Sequence, residues 1–517
     1  MRLGIDVGGT NTDIAIIDGD RIMGAHKTAT QENPGAGVKA VIENALSQTE
    51  ISRDDIDAVV IGTTHFTNAF VERKKLAPSA ILRLCLPSNQ DLKPMLDWPS
   101  ELKQALGEHI YLAHGGYEID GREAAPMDEI QIRKIARDMR KKGVRNVAVS
   151  SIFSTIKDDM EIAARDLIIE EIPGASVSLS SRLGGLGLID RENAALINAS
   201  LRDIGQILAN TIIVALRELR ISAPFYFSQN DGALMSVKYA VRHPALTFSS
   251  GAANSIRGAA RLADFDNAIV VDIGGTTTDV GVLKDGFPRE LSLPGELGGV
   301  RTNLRMPDLY SIGLGGGSIV QLSETVKVGP QSVGHQLEKK ALVFGGDVIT
   351  ATDIAVAAGR AKVGDPSLVA NLPAKDVAKA DQLIQQMIAD AIDRVRTSSE
   401  LLPVIFAGGG RILAAQKMRG VGEVFVPDYA DVANAVGAAF AQVSGAAERI
   451  YDYNRIARDD AIIDVKSKAR DEAAQAGADP STIRDVEVEE TALPYATGRM
   501  MRVRAKVLGE LLINGHA

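Results

Sequence analysis

The sequence predicts an α/β protein made of two similar halves, followed by a small C-terminal α+β extension. Three observations support this fold class: a strand–turn–strand motif occurs twice, strands and helices alternate after each copy, and the pattern changes near residue 446. A chain of 517 residues is also too long for one hydrophobic core. We therefore expect three domains, at residues 1–242, 243–445 and 446–517.

The repeated motif has the form Asp-x-Gly-Gly-Thr-x-Thr-Asp. The two copies, at residues 6–13 and 272–279, are identical at six of eight positions and lie 266 residues apart. Apolar runs on both sides of each copy predict a strand, a Gly-Gly turn and a second strand. Two copies in corresponding places indicate two related α/β halves.

Helical and strand patterns alternate after the first copy. Pro34 marks the start of a helix, and residues 57–61 form a buried strand pattern. Asp128 is placed as the N-cap of a helix that stops at Gly143. The next elements are a strand at residues 146–152 and a long helix at about 190–220.

The second half repeats this alternation, and the C-terminal segment departs from it. After a charged helix, two runs alternate with period two, which predicts an appended β-hairpin. The hairpin runs are residues 483–488 and 501–507. The preceding elements are helices from about residue 352 and near 374–399, strands at 402–407 and 423–427, and a helix of small residues at 433–439.

The composition of the motif points to a metal–nucleotide complex. A Gly-Gly turn lets backbone N–H groups approach an anion, and the threonines add hydroxyl donors. Four carboxylates, however, would repel a phosphate if they converged on it. Mg²⁺ resolves this conflict because it prefers a few carboxylates together with waters and phosphate oxygens. The alternative is two hairpins whose glycines only satisfy turn geometry.

Composition argues against several other classes of protein. A net charge of −9 and 4% aromatic residues are unfavourable for nucleic-acid or anionic-lipid binding. Cys85 lies in an apolar strand-like run, which favours a buried structural thiol, and one cysteine cannot form an intramolecular disulfide. With no signal-peptide pattern and no apolar run near the length of a membrane helix, we expect a cytoplasmic protein that does not enter a membrane. The chain has no P-loop, no Rossmann fingerprint and no histidine pair with metal-site spacing.

The doubled motif resembles the superfamily of actin, sugar kinases and heat-shock chaperone ATPases. Residues 404–411 resemble its adenosine motif, for which an ordinary strand-to-helix turn is the alternative. Residues 251–260 and 433–439 resemble its interdomain helices. The resemblance implies two actin-like (ribonuclease H-like) domains flanking a nucleotide cleft, with ATP and Mg²⁺ as cofactors and a hinge at these two small-residue segments.

Further stretches resemble one family, the ATP-dependent hydantoinase A and 5-oxoprolinase group, which includes acetone and acetophenone carboxylase subunits. This resemblance implies an enzyme that phosphorylates the carbonyl oxygen of a cyclic amide or imide and so activates the carbon toward water. It also implies an A-type subunit with a B-type partner, in a homo- or hetero-oligomer. The stretches that carry it are residues 61–73, 227–236, 311–319, 328–332 and 350–353.

The resemblance assigns roles to named residues. Asp6 and Asp272 are expected to hold Mg²⁺, and Asp13 and Asp279 complete the catalytic carboxylates. The residues expected to bind the nucleotide are Gly8, Gly9, Thr10, Asn11, Thr12, Gly274, Gly275, Thr276, Thr277, Thr278, Gly315, Gly316, Gly317, Gly408, Gly409 and Gly410. Those expected near the substrate are Thr63, Thr64, Asn68, Gln229, Asn230 and Asp231.

Alternatives to these assignments remain open. The six substrate-side residues could serve only turn and capping chemistry. The protein could instead be a small-molecule kinase of the same superfamily, which would release a phosphorylated product. It could also be an ATP-dependent activator or scaffold that changes shape without chemistry on a small molecule.

Overall fold

The computed structural model describes residues 1–9, 11–31, 33–291, 295–323, 325–418, 420–493, 496 and 498–512. Strands and helices alternate through most of these residues, which confirms the predicted α/β class. The strands are β1 (Arg2–Val7), β2 (Asn11–Asp18), β3 (Arg21–Ala29), β4 (Ala58–Thr63), β5 (Ser79–Leu86), β6 (His109–His114), β7 (Asn146–Ser151), β8 (Ser176–Leu179), β9 (Phe225–Ser228), β10 (Leu234–Ser236), β11 (Ala268–Ile273), β12 (Thr278–Lys284), β13 (Phe287–Pro288), β14 (Gly295–Leu297), β15 (Val300–Thr302), β16 (Leu309–Ile312), β17 (Ser318–Gln321), β18 (Lys327–Ser332), β19 (Val404–Ala407), β20 (Val424–Phe425), β21 (Val443–Asp452), β22 (Arg484–Ala492) and β23 (Met500–Gly509). The helices are α1 (Pro34–Ser47), α2 (His65–Val71), α3 (Ser100–Leu106), α4 (Glu129–Lys141), α5 (Asp159–Glu171), α6 (Leu188–Glu218), α7 (Val237–Arg242), α8 (Ser250–Ala263), α9 (Leu337–Lys340), α10 (Ala351–Ala357), α11 (Ala374–Val395), α12 (Ala433–Phe440) and α13 (Arg458–Ala476).

Two sheets share one strand order. The first contains the path β3-β2-β1-β4-β9 and the second the path β13-β12-β11-β19-β20. In each, the two strands of the repeated motif pair antiparallel, and the next two strands on the path run parallel to the first. This shared order confirms two ribonuclease H-like halves, which the repeat in the sequence predicted.

Both halves carry insertions. Between β4 and β9 the chain forms a separate four-stranded parallel sheet, in the order β6-β5-β7-β8. Helix α4 begins as predicted, because the Asp128 side chain accepts a hydrogen bond from the N–H of Gln131 at 2.9 Å. Cys85 is buried on β5, as the apolar run around it indicated. Between β13 and β19 lie the short strands β14 to β18 and the helices α9 to α11.

The C-terminal segment extends the first sheet. The period-two runs form the antiparallel hairpin β22–β23, as predicted. Strand β23 pairs with β21, and β21 pairs with β10 where Val443 lies beside Leu234. The first sheet therefore has nine strands among the described residues, and its last three come from the C-terminal segment. The exact domain boundaries at residues 242 and 445 stay predictions.

Helix α6 contains a long apolar run that we did not expect from the sequence. By length and composition alone it could cross a membrane, whereas we expected no run of that kind. In the fold, 56% of its apolar window is buried inside the protein. Arg191 and Glu192, near its start, are also buried and hydrogen-bonded within the protein. These contacts identify α6 as a helix of the protein core.

Helices α8 and α12 cross at glycines and join the two halves. A Cβ atom on Gly437 would lie 1.9 Å from the carbonyl oxygen of Asn254, and one on Gly258 would lie 1.8 Å from that of Ala433. No side chain fits at either point, so the two backbones are in direct contact. The small residues that the sequence showed here are thus required by the helix crossing.

Candidate functional site

Two pairs of aspartates occupy equivalent positions on two hairpins. The first hairpin comprises β1, β2 and their Gly-Gly turn, and it pairs Asp6 with Asp13. The second hairpin comprises β11, β12 and their turn, and it pairs Asp272 with Asp279. The repeat in the sequence is therefore also a repeat of carboxylates beside a glycine turn.

Burial and neighbouring carboxylates raise the pKa of Asp6 and of Asp272. Asp6 is 5% exposed, and burial, followed by the charge of Asp13, raises its pKa to about 7. Burial, with Asp279 adding to it, raises the pKa of Asp272 to about 6. Asp272 also raises the pKa of Asp6, so the two hairpins face each other closely enough for their charges to interact.

One amide side chain and one ammonium group contact the first pair of aspartates. The Asn434 Nδ2 atom, at the start of α12, donates to Oδ2 of both Asp6 and Asp13 at 2.9 Å. The Lys27 ammonium lies 2.8 Å from Oδ1 of Asp13. Our sequence analysis assigned no site role to Asn434 or Lys27. One signal for Asn434 was available, because it is a polar residue in a helix otherwise made of small and apolar ones.

A divalent cation fits this arrangement. The buried Oδ1 atom of Asp6 has no hydrogen-bond partner among the described residues. The negative charges of Asp6 and Asp272 repel each other across the cleft, and a cation between them would offset this repulsion. The described part of the chain contains no cluster of three or more metal-ligating His, Cys, Asp or Glu side chains. Mg²⁺ takes one or two carboxylates and completes its shell with phosphate and water, so two facing carboxylates suffice as its protein ligands.

Three of the predicted glycine turns have one glycine whose outer face is open. A Cβ atom on Gly9, Gly275 or Gly409 would meet no described atom within 4 Å. Gly408 differs, since its φ is +81° and a Cβ there would lie 2.3 Å from Oδ1 of Asp272. The turn formed by residues 408–410 therefore packs directly against the second carboxylate pair. Three turns thus present exposed backbone beside the aspartates.

The hydroxyl groups of the two hairpins divide into two kinds. Thr12 and Thr278 are fully buried, and their hydroxyls bond within the protein, so they support the hairpins. Thr276 and Thr277 are exposed at the second turn and can reach a ligand. Thr10, the first-hairpin counterpart of Thr276, lies outside the described residues.

The glycine loop at residues 315–317 packs against the turn of the second hairpin and hydrogen-bonds to it. The N–H of Gly316 donates to the carbonyl of Gly274 at 3.0 Å, and that of Gly317 donates to the carbonyl of Gly275 at 2.7 Å. A Cβ on Gly315 would lie 2.5 Å from the backbone carbon of Gly275. Because these two N–H groups already have partners, the loop holds the turn of the second hairpin in position. The face of that turn that is open to a ligand is formed by Gly275.

Part of the predicted substrate side lies beside Asp6. A Cβ on Gly62 would lie 2.5 Å from Oδ1 of Asp6, so the end of β4 touches the first carboxylate pair. Thr63 and Thr64 follow directly, and Asn68 is exposed on the next helix, with its Nδ2 atom 3.5 Å from the Thr64 hydroxyl. Thr63 is buried and its hydroxyl accepts the N–H of His65 at 3.1 Å, so it supports this turn, whereas Thr64 and Asn68 lie at the edge of the cleft.

The other predicted substrate residues line a separate cavity. Gln229, Asn230 and Asp231 border a space of about 130 Å³, and neither hairpin contributes a described residue to its lining. Asn230 is buried and accepts the N–H of Ser249 at 2.9 Å, a bond that fixes the residue before α8. Asp231 forms an ion pair with Lys506 at 2.8 Å. The structure thus places Gln229, Asn230 and Asp231 apart from the other predicted substrate residues, which are Thr63, Thr64 and Asn68.

The doubled sheets and the facing carboxylate hairpins define a protein of the actin-like fold. Family models agree with this class and make it more specific. The chain matches the hydantoinase/oxoprolinase N-terminal region at residues 2–172 and the hydantoinase/oxoprolinase model at residues 191–367. The chain belongs to the hydantoinase/oxoprolinase family.

Curated relatives and solved structures are consistent with this membership. The chain is 27% identical to caprolactamase subunit alpha of Pseudomonas jessenii over 69% of this chain and 54% of the relative. It is 25% identical to the acetone carboxylase beta subunit of Xanthobacter autotrophicus over 65% and 51%. The chain thus spans about half the length of these relatives.

Two solved structures share the fold across nearly the whole chain. The ATP-dependent caprolactamase from Pseudomonas jessenii has a TM-score of 0.78 at 19% identity, covering 99% of this chain and 88% of that one. Nucleotide-free acetone carboxylase has a TM-score of 0.68 at 18% identity, with the same coverage. At these identities the likeness establishes the fold alone.

Proposed function

We propose that the protein binds Mg-ATP between its two hairpins. The observation that carries this proposal is the pairing of buried, mutually repelling carboxylates with three open glycine turns. Asp6 and Asp272 would hold the cation, while the backbone at Gly9 and Gly275 would face the phosphates and Gly409 the adenosine. Mg²⁺, when bound, supplies positive charge that offsets both the aspartates and the phosphates.

We further propose that the protein uses ATP to activate the carbonyl of a cyclic amide or imide. Transfer of the terminal phosphoryl group to the amide oxygen releases ADP and gives the carbon a good leaving group. One water adds to that carbon and the ring C–N bond breaks, which gives an amine and an acyl phosphate. A second water then hydrolyses the acyl phosphate to the acid and inorganic phosphate. Thr64 and Asn68 lie where they could orient the amide, at the edge of the cleft beside Asp6.

Relatives support a subunit role for this chain. The two relatives named above are an alpha and a beta subunit, and one solved relative is described as an ATP-dependent caprolactamase. We propose by analogy that this chain acts as an A-type subunit with a B-type partner. A cytoplasmic location also remains our proposal, from the single cysteine in the sequence.

The metal-binding role of Asp272 can be tested by calorimetry with a non-hydrolysable ATP analogue, with and without Mg²⁺. Asp272→Asn keeps the shape of the side chain and removes its charge, so it should lose the Mg²⁺-dependent part of the affinity. Asp18→Asn, at the exposed end of β2, is the matched control. Equal Mg²⁺-dependent affinity in the wild type and Asp272→Asn would show that the assigned role is wrong.

The reaction can be tested by incubating the protein with Mg-ATP and a panel of lactams, hydantoins and imides. Release of ADP together with a ring-opened acid supports the proposed hydrolysis. A stable phosphorylated product would identify a kinase, and ATP turnover stimulated only by a protein would identify an activator.

A further inference from the structure

A polar cavity lies apart from the two hairpins, at the junction of segments that are distant in the sequence. We call it the polar cavity, and its volume is about 130 Å³. This is several times the volume that one water molecule needs. Its lining includes residues 181–185, 229–231 and 444–449 together with Tyr239, Glu290, Arg305, Lys468, Glu472 and Lys506. The insertion of each half and the C-terminal segment all contribute to its walls.

Most charged groups around the polar cavity already have partners of opposite charge. The carboxylate of Glu448 accepts the N–H of Leu186 at 3.0 Å, and Glu472 accepts the hydroxyl of Tyr239 at 2.8 Å. The ion pairs are Lys506–Asp231 (2.8 Å), Lys506–Glu290 (3.3 Å), Arg182–Glu472 (2.9 Å), Arg449–Asp158 (3.1 Å) and Lys468–Asp464 (3.0 Å). These groups therefore do not need a ligand to satisfy them.

Arg305 is different from its neighbours in the polar cavity. Its guanidinium group makes no hydrogen bond and no ion pair with any residue that the structure describes, although it lines the cavity. Burial lowers its pKa, and the nearby charge of Arg504 lowers it further. A guanidinium keeps its proton at ordinary pH, so the N–H groups of Arg305 are available to an anion that enters the cavity.

We propose that the polar cavity binds a small monocarboxylate whose carboxylate group pairs with Arg305. A guanidinium offers parallel N–H groups that match the two oxygens of a carboxylate. Asp231, Glu290 and Glu448 also act on Arg305, so they would repel a second negative charge on the ligand. A singly charged ligand fits this balance better than a doubly charged phosphate.

Two sources could supply such a ligand. Ring opening of a cyclic amide produces an acid that also carries an amine, whereas an independent effector would need only the carboxylate. The carboxylates of Glu448 and Glu472 border the same cavity and could face an ammonium group. The proposal does not depend on the Mg-ATP assignment, because the cavity and the hairpins have different linings.

The test is isothermal calorimetry and thermal denaturation of the full chain with butyrate, and with butyramide as the neutral molecule of the same shape. Butyrate should bind and raise the melting temperature, while butyramide should do neither. Arg305→Gln should weaken butyrate binding by about tenfold or more. Arg301→Gln, at an exposed arginine of the same insertion, should behave as the wild type does.

Further measurements separate the sources and the possible failures. Tighter binding of 4-aminobutyrate or 6-aminohexanoate than of butyrate supports the ring-opened product, and equal binding supports an independent effector. The affinity for a Mg-bound ATP analogue, measured in the same variants, should not change. The proposal is overturned if no carboxylate binds at millimolar concentration, if Arg305→Gln binds butyrate as the wild type does, or if inorganic phosphate binds more tightly than butyrate.

Discussion

The buried carboxyl group of Asp6 should make the ligand-free protein less stable as the pH rises. Its pKa is about 7 in the folded protein and 3.8 in the reference state that stands for the unfolded chain. The folded state therefore binds the proton more tightly than the unfolded one. This contribution to stability is complete below pH 3.8 and is lost as the pH rises through about 7.

The size of this effect follows from the difference between the two pKa values. One pKa unit corresponds to about 1.4 kcal/mol, so the gap between 3.8 and about 7 amounts to about 4 kcal/mol at alkaline pH. The 5% exposure of Asp6 leaves little solvent to screen its charge. Asp6→Asn cannot ionise, and its side-chain oxygen can still accept the hydrogen bond from Asn434.

The assay is urea denaturation of the wild type and Asp6→Asn between pH 5 and pH 8.5, with EDTA present. Asp6→Asn should be the more stable protein at pH 8 by up to about 4 kcal/mol, and the difference should shrink toward acid pH. Asp18→Asn, at the exposed end of β2, controls for the loss of a negative charge. Parallel loss of stability in the wild type and Asp6→Asn across this range would refute the reasoning.

Two further predictions concern the helix crossing and a buried ion pair. Gly437→Leu should separate α8 from α12, because even its Cβ atom would lie 1.9 Å from the carbonyl oxygen of Asn254. We expect Mg-ATP binding to weaken by about tenfold or more, and X-ray scattering to show no compaction with an ATP analogue. Wild-type affinity in this variant would contradict the prediction. Glu192→Gln should cost roughly 3–5 kcal/mol in urea denaturation, because it leaves the Arg83 charge buried and unpaired. Glu218→Gln, which breaks the exposed pair with Lys39, should cost much less than Glu192→Gln, and equal costs for the two changes would contradict this prediction.

The parts of the fold that the sequence predicted are those encoded by local pattern. The two hairpins follow from glycine turns between apolar runs, and their repetition indicated two related halves before any strand pairing was known. The N-cap at Asp128 and the C-terminal hairpin were predictable for the same reason, because each depends on neighbours a few residues away. Asp6, Asp13, Asp272 and Asp279 were found through the repeat.

The remaining features depend on contacts that no local pattern encodes. Asn434 reaches Asp6 across 428 residues, and Val443 pairs with Leu234 to bring the C-terminal segment into the first sheet. The loop at residues 315–317 matched a ligand-binding pattern, yet its N–H groups bond to the second hairpin. Arg305 carried no signal in the sequence, because its lack of a partner is visible only once the surrounding charges are placed.

The route of the chain through the nine-stranded sheet has a consequence for synthesis on the ribosome. Strands β1 to β10 are made early, but β21 and β23 are made only after the whole second half. The edge of β10 therefore stays open while about two hundred residues are added, as the gap between Leu234 and Val443 shows. Pairings this distant in sequence form slowly, and an open edge can pair with the wrong strand in the meantime. The first sheet therefore gains its last three strands only after the whole second half has been synthesised.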